Sequence, residues 1–167
     1  MILAIYTLLH VAISLIGIVS GLWMVFGWIA GRRPEGWTKV FLVTTILTGV
    51  TGFFFPFHGI TPALIVGVLS LLILVLAYYA RGHTSRVWQK TYALGCVTAL
   101  YLNVFVLVVQ LFLKIPALKA VAPKQTDPPF VITQSLVLFA FIVLGVLTTL
   151  RFHADEPSLV ETKIQNP

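Results

Sequence analysis

Four histidines and two amides are the side chains whose type and spacing could do chemistry in this 167-residue chain. His10 falls inside a long apolar stretch, and His58 follows the aromatic run Phe53-Phe54-Phe55-Pro56-Phe57. His83 lies in the polar segment 81–86, and His153 follows the last apolar stretch. A neutral imidazole offers a lone pair to a metal or a proton donor, and two imidazoles from opposing sides hold a low-spin haem. His10 with His58 on one side, and His83 with His153 as a second site on the other, would make a two-haem electron carrier. Asn103 and Gln110 recur seven residues apart, as do Cys96 and Asn103, so the three share one helix face. Amides on such a face could orient the polar head of a quinone, a haem or a lipid.

Several chemistries are missing. No Asp, Glu, Lys or Arg falls deep within an apolar stretch, which argues against proton- or sodium-coupled transport, since such transport uses an intramembrane carboxylate. There are no paired hydrolase carboxylates and no His-Glu-x-x-His spacing, so no metal site is expected. Cys96 is the single cysteine and cannot form an internal disulfide. The formal charge of +6 is not a nucleic-acid footprint, because nearly all the Lys and Arg residues lie at the ends of apolar stretches and none forms a long basic run.

The elements that carry these residues are set by composition. The chain is 59% hydrophobic and 10% charged, with a mean hydropathy of +1.01. About 20 apolar residues make a helix that crosses about 30 Å of hydrocarbon. Five stretches of that kind are expected, at about 2–30, 38–57, 61–80, 88–113 and 130–150. The fold expected is therefore an all-α bundle of five transmembrane helices forming one domain over 1–153, followed by a polar cytoplasmic tail at 154–167. Pro56 and Pro62 divide the apolar run 40–80 into a hairpin. A short interfacial helix is expected around 117–121 in the Lys- and Pro-rich connection. No cleavable signal peptide is expected, because the first apolar run starts at Ile2 without a basic region before it.

Five crossings put the termini on opposite sides. With the N-terminus outside, Arg32, Arg33, Lys39, Arg81, Arg86, Lys90, Arg151 and Lys163 are cytoplasmic, and Lys114, Lys119 and Lys124 are outside. Eight against three, out of the 11 Lys and Arg residues, is a positive-inside bias that sets the orientation. His10, Ser14, Gly17 and Gly21 recur at spacings of 4, 3 and 4 and share a face. In this orientation Tyr6, His10, Thr51, Asn103, Gln110 and Gln134 all belong to the outer half.

These placements leave three functions open. The first is an accessory, non-enzymatic protein that binds a partner subunit, a second copy of itself or a hydrophobic ligand in an outer-half pocket lined by His10, Asn103 and Gln110. The second is an oxidoreductase module carrying haem b or a quinone. The third is an uncoupled facilitator or channel. Against all three stands a structural reading, in which amides and Gly17-x-x-x-Gly21 simply hold helices together.

The sequence also resembles a bacterial family of polytopic membrane proteins with a His in the first helix and no known function. The resemblance rests on His10, the basic turn before Lys39-Val40-Phe41, the pairs Thr48-Gly49 and Thr51-Gly52, and the loop Arg81-Gly82-His83-Thr84-Ser85-Arg86-Val87-Trp88. It spans about residues 8–113, with Val87 standing where the family has a His before the Trp. It implies a bundle in the bacterial inner membrane, in contact with lipid.

Overall fold

In hydrocarbon every backbone N–H and C=O must be paired within its own segment, so long apolar runs become helices. A computed structural model describes residues 2–55 and 62–152, and all regular structure among them is helical. The elements are α1 (Ile2–Ile29), α2 (Glu35–Gly52), α3 (Pro62–Arg81), α4 (Arg86–Lys114), α5 (Pro116–Val121) and α6 (Pro128–Arg151). Four of them, α1, α3, α4 and α6, are long and apolar enough to cross a membrane. The remaining long helix, α2, has 18 residues; Glu35, Lys39 and a row of threonines dilute its apolar character.

The helix ends differ from the apolar windows for local reasons. α2 begins at Glu35 rather than 38 because the carbonyl of Pro34 already accepts from the Thr38 amide at 2.9 Å and from its hydroxyl at 3.0 Å. Its polar first turn is helical without being apolar. Likewise α4 starts at Arg86, before the apolar run, with the Gln89 amide bonded to Ser85 O. The short helix in the connection forms with Pro116 at its start, where a missing N–H costs nothing.

Consecutive long helices run antiparallel, and α4 touches every other helix. Cys96, Ala99 and Leu100 on α4 are accordingly fully buried. Alternation of direction gathers Arg32, Arg33, Lys39, Arg81, Arg86, Lys90 and Arg151 at one end, called here the basic end. Aromatic contacts close that end: Trp28 packs on Tyr92 at 5.7 Å and on Phe152 at 5.0 Å between ring centroids. Arg33 lies over the Phe152 ring at 5.5 Å, and Arg151 donates to Ile29 O at 3.4 Å. Lys114, Lys119 and Lys124 mark the far end.

The turn from α1 to α2 is built by local chemistry. Gly31 has φ +72°, the left-handed region that suits glycine. The Arg32 amide bonds Gly27 O at 2.8 Å and the Gly31 amide bonds Trp28 O at 3.0 Å, the two bonds of a Schellman cap. A Cβ on Gly27 would stand 2.8 Å from the Pro34 ring, so only glycine lets the proline fold back this closely.

Burial is inverted relative to a protein in water. Leu8, Leu72, Val75, Leu136 and Phe139 face outwards, while Ser20, Thr45 and Thr148 are almost fully enclosed. An apolar exterior of this extent is stable against lipid and would drive aggregation in water. The helices meet where side chains are small: Cβ atoms on Gly21 and Gly49 would lie 2.7 Å and 2.8 Å from Leu100 and Leu71, respectively.

Candidate functional site

At the far end α1 and α2 are joined by a polar cluster around His10. Tyr6 and His10 are one helical turn apart, so both face the last turn of α2. That turn is closed by the Phe53 amide on Val50 O at 3.2 Å and the Phe54 amide on Thr51 O at 3.1 Å. Tyr6 adds a second bond to one of these carbonyls: its hydroxyl donates to Thr51 O at 2.5 Å. His10 Nδ1 meets Thr51 Oγ1 at 2.8 Å.

The direction of the second bond follows from proton counting. The Thr51 hydroxyl has one hydrogen and donates it to Leu47 O at 2.6 Å, back along its own helix. Its lone pair therefore faces His10, and Nδ1 carries the proton. In the neutral ring Nε2 then keeps its lone pair, and among the described residues nothing bonds to it. Phe55 braces the pair, edge-on to Tyr6 at 5.0 Å and to His10 at 5.1 Å. Gly52 stands beside Cε1 of His10; a Cβ there would be 3.8 Å away, so the ring edge is not crowded by a side chain. The result is a half-buried imidazole fixed in tautomer and orientation, with one acceptor nitrogen to offer.

Asn103 occupies a different layer. It is buried, and its Nδ2 donates to Thr45 Oγ1 at 3.3 Å. Gly17 makes room for this contact: its Cβ position is 3.1 Å from Thr44 Oγ1 and 3.7 Å from Asn103 Nδ2. Thr45 and Thr51 are six residues apart on α2, about 9 Å along its axis. The His10 and Asn103 bonds are therefore separate, and Asn103 acts as a tie between α4 and α2. Gln110 is half-buried on α4 and no described residue bonds its amide.

Gln134 is a polar group whose role the sequence did not reveal. It donates from Nε2 to Phe105 O at 3.1 Å, while its enclosed Oε1 has no partner among the described residues. Spacing alone placed it only at the start of a span. Tyr6 did carry a signal, four residues before His10, but Thr45 and Phe55 had none beyond being polar or aromatic.

The proposed second pair is only partly visible. His83 donates from Nδ1 to Tyr79 O at 3.0 Å, and its ring lies tilted against Tyr79 at 4.7 Å and Trp88 at 5.0 Å, which themselves meet edge-on at 5.4 Å. This is an aromatic clasp over the turn between α3 and α4. His58 and His153 lie outside the described residues. Among the described residues no group of three His, Cys, Asp or Glu side chains could hold a metal ion.

Comparison of the chain with protein-family models, curated proteins and solved structures finds no match.

Proposed function

We propose that the protein is an integral membrane bundle of five spans, with its N-terminus outside, that binds a hydrophobic molecule through the His10 site. The fifth span in this reading is α2, which follows α1 from Trp23 to Tyr6, through the contacts Trp23–Trp37, Gly21–Phe41 and Tyr6–Thr51. The positive-inside rule supports the orientation, because the basic end then faces the cytoplasm. The resemblance to the bacterial family supports an inner-membrane location.

One observation carries the ligand reading. Tyr6, Thr51 and Phe55 together hold His10 with Nε2 unprotonated, so the site accepts a hydrogen bond and has none left to donate from the ring. It suits the hydroxyl of an amphiphile, such as a quinol or a lipid alcohol, better than a quinone carbonyl. The role proposed for this cluster is binding. The test is organic extraction of the purified protein followed by mass spectrometry of what it retains. A hydroxyl-bearing amphiphile retained at near-equal stoichiometry, and lost in His10→Phe, is the expected result. Equal retention by the variant overturns the assignment.

The same lone pair favours a second reading, in which His10 is an axial ligand to haem b. A second-sphere bond to Nδ1 is what holds a ligating imidazole in place. A Soret band in the purified protein that vanishes in His10→Phe would select this reading over the first.

A further inference from the structure

A recess of a different kind lies at the basic end, on the outer surface of α1. Trp23, Phe26, Gly27, Arg32, Arg33 and Pro34 line a cavity of about 390 Å³. Its lining is graded along the helix. Trp23 and Phe26 expose 58% and 56% of their surface. Trp23 lies six residues before the end of α1, about 9 Å into the hydrocarbon side of the recess. The two guanidinium groups lie just beyond the helix end. Trp37, packed on Trp23 at 5.8 Å, extends the aromatic wall on to α2.

The backbone fixes this arrangement. The Schellman cap occupies the last carbonyls of α1, and the Gly27–Pro34 contact folds the chain back at once. Arg32 and Arg33 are thereby held at the rim, with Arg33 also lying over Phe152. Glu35 follows in the first turn of α2 and makes no ion pair with Arg32 among the described residues. The Arg32 guanidinium at the rim matches the oxygens of a phosphate, since its fork can bond two of them. An aromatic wall below it matches methylene chains.

We propose that this recess binds an anionic phospholipid, with its phosphate on Arg32 and its first acyl methylenes against Trp23 and Phe26. The Arg32 charge at the rim favours a headgroup of net negative charge over one that carries its own ammonium. The exposed aromatic wall selects a lipid over a soluble phosphate. The inference rests on α1 crossing the membrane and is independent of the His10 site.

The experiment is native mass spectrometry of the full chain from micelles holding equal phosphatidylglycerol and phosphatidylcholine. The wild type should retain phosphatidylglycerol preferentially. Arg32→Gln should reduce that preference about fivefold, the worth of one basic residue at a charged surface. Trp23→Ala should weaken retention as well, and Arg86→Gln, at the same end but outside the recess, should leave it unchanged. Arg32→Lys keeps the charge without the fork and should fall between; it also serves if Arg32→Gln does not fold. An equal loss in Arg86→Gln and Arg32→Gln would mean diffuse attraction and would overturn the site. Absence of any preference does the same. Displacement of the lipid by equimolar glycerol phosphate would assign the recess to a soluble ligand and overturn the lipid assignment.

Discussion

His10 and Thr51 are joined at 2.8 Å across 41 residues of sequence, and the bond runs from imidazole to hydroxyl because the threonine proton is already committed to Leu47. A side chain that ordinarily donates along its own helix thus becomes the acceptor that sets a histidine tautomer on another. Replacing it with its isostere isolates the effect. Thr51→Val should lower stability by about 0.6–2 kcal/mol, the range for an interhelical bond in a membrane. It should also release the Nδ1 proton to exchange between the two ring nitrogens. Nitrogen-15 chemical shifts of His10 would show this as loss of a single Nδ1–H tautomer; an unchanged tautomer would refute the proton assignment.

The packing of α1 against α2 and α4 makes a steric prediction. A side chain at Gly21 would collide with Phe41 and Leu100, both of them fully buried. Gly21→Leu should cost at least about 1–3 kcal/mol, as overpacked cores do. Gly36→Ala meets open space and should be close to neutral. Denaturation in mixed detergent compares the two, and equal stability would mean that α1 and α4 do not approach this closely.

A double-mutant cycle separates the tie from the ligand site. Asn103→Leu and Thr45→Val should each destabilise, with a coupling of about 0.6 kcal/mol between them. Neither should change what His10 retains, because the two layers are about 9 Å apart. Loss of the His10 ligand in Asn103→Leu would instead bring the two layers into one pocket.

The number of crossings can be decided by labelling. In a variant with Cys96 replaced by Ala, single cysteines at Gly36 and Ser85 should react with an impermeant reagent from the same side of the membrane. That outcome follows if α2 crosses. Opposite sidedness would follow if α2 lay along the surface, and would reduce the spans to the four most apolar helices.

Much of the fold was legible in the sequence, and the reason differs by feature. The long apolar runs at α1, α3, α4 and α6 could be read directly, because hydrocarbon thickness translates into residue count. The face of α1 that meets α2 was also readable, since His10, Gly17 and Gly21 recur at helical spacing and all three pack on α2. The start of α2 was not, because Glu35, Gly36 and Trp37 form a helical turn that hydropathy counts as loop. Nor were Tyr6–Thr51 and Asn103–Thr45 legible, with 45 and 58 residues between partners. Helix rotation and register decide such pairs. In a membrane the hydrophobic effect does little to set either, because lipid is as apolar as a helix interior.

The seal at the basic end also orders events in time. The ring that packs edge-on against Trp28 belongs to Phe152, 124 residues later in synthesis (152 − 28). At about 5–20 residues per second the ribosome needs roughly 6–25 s to deliver that partner. Throughout that interval the indole has only earlier-made neighbours. A chain interrupted before α6 would lack Phe152 and leave that side of the Trp28 indole uncovered.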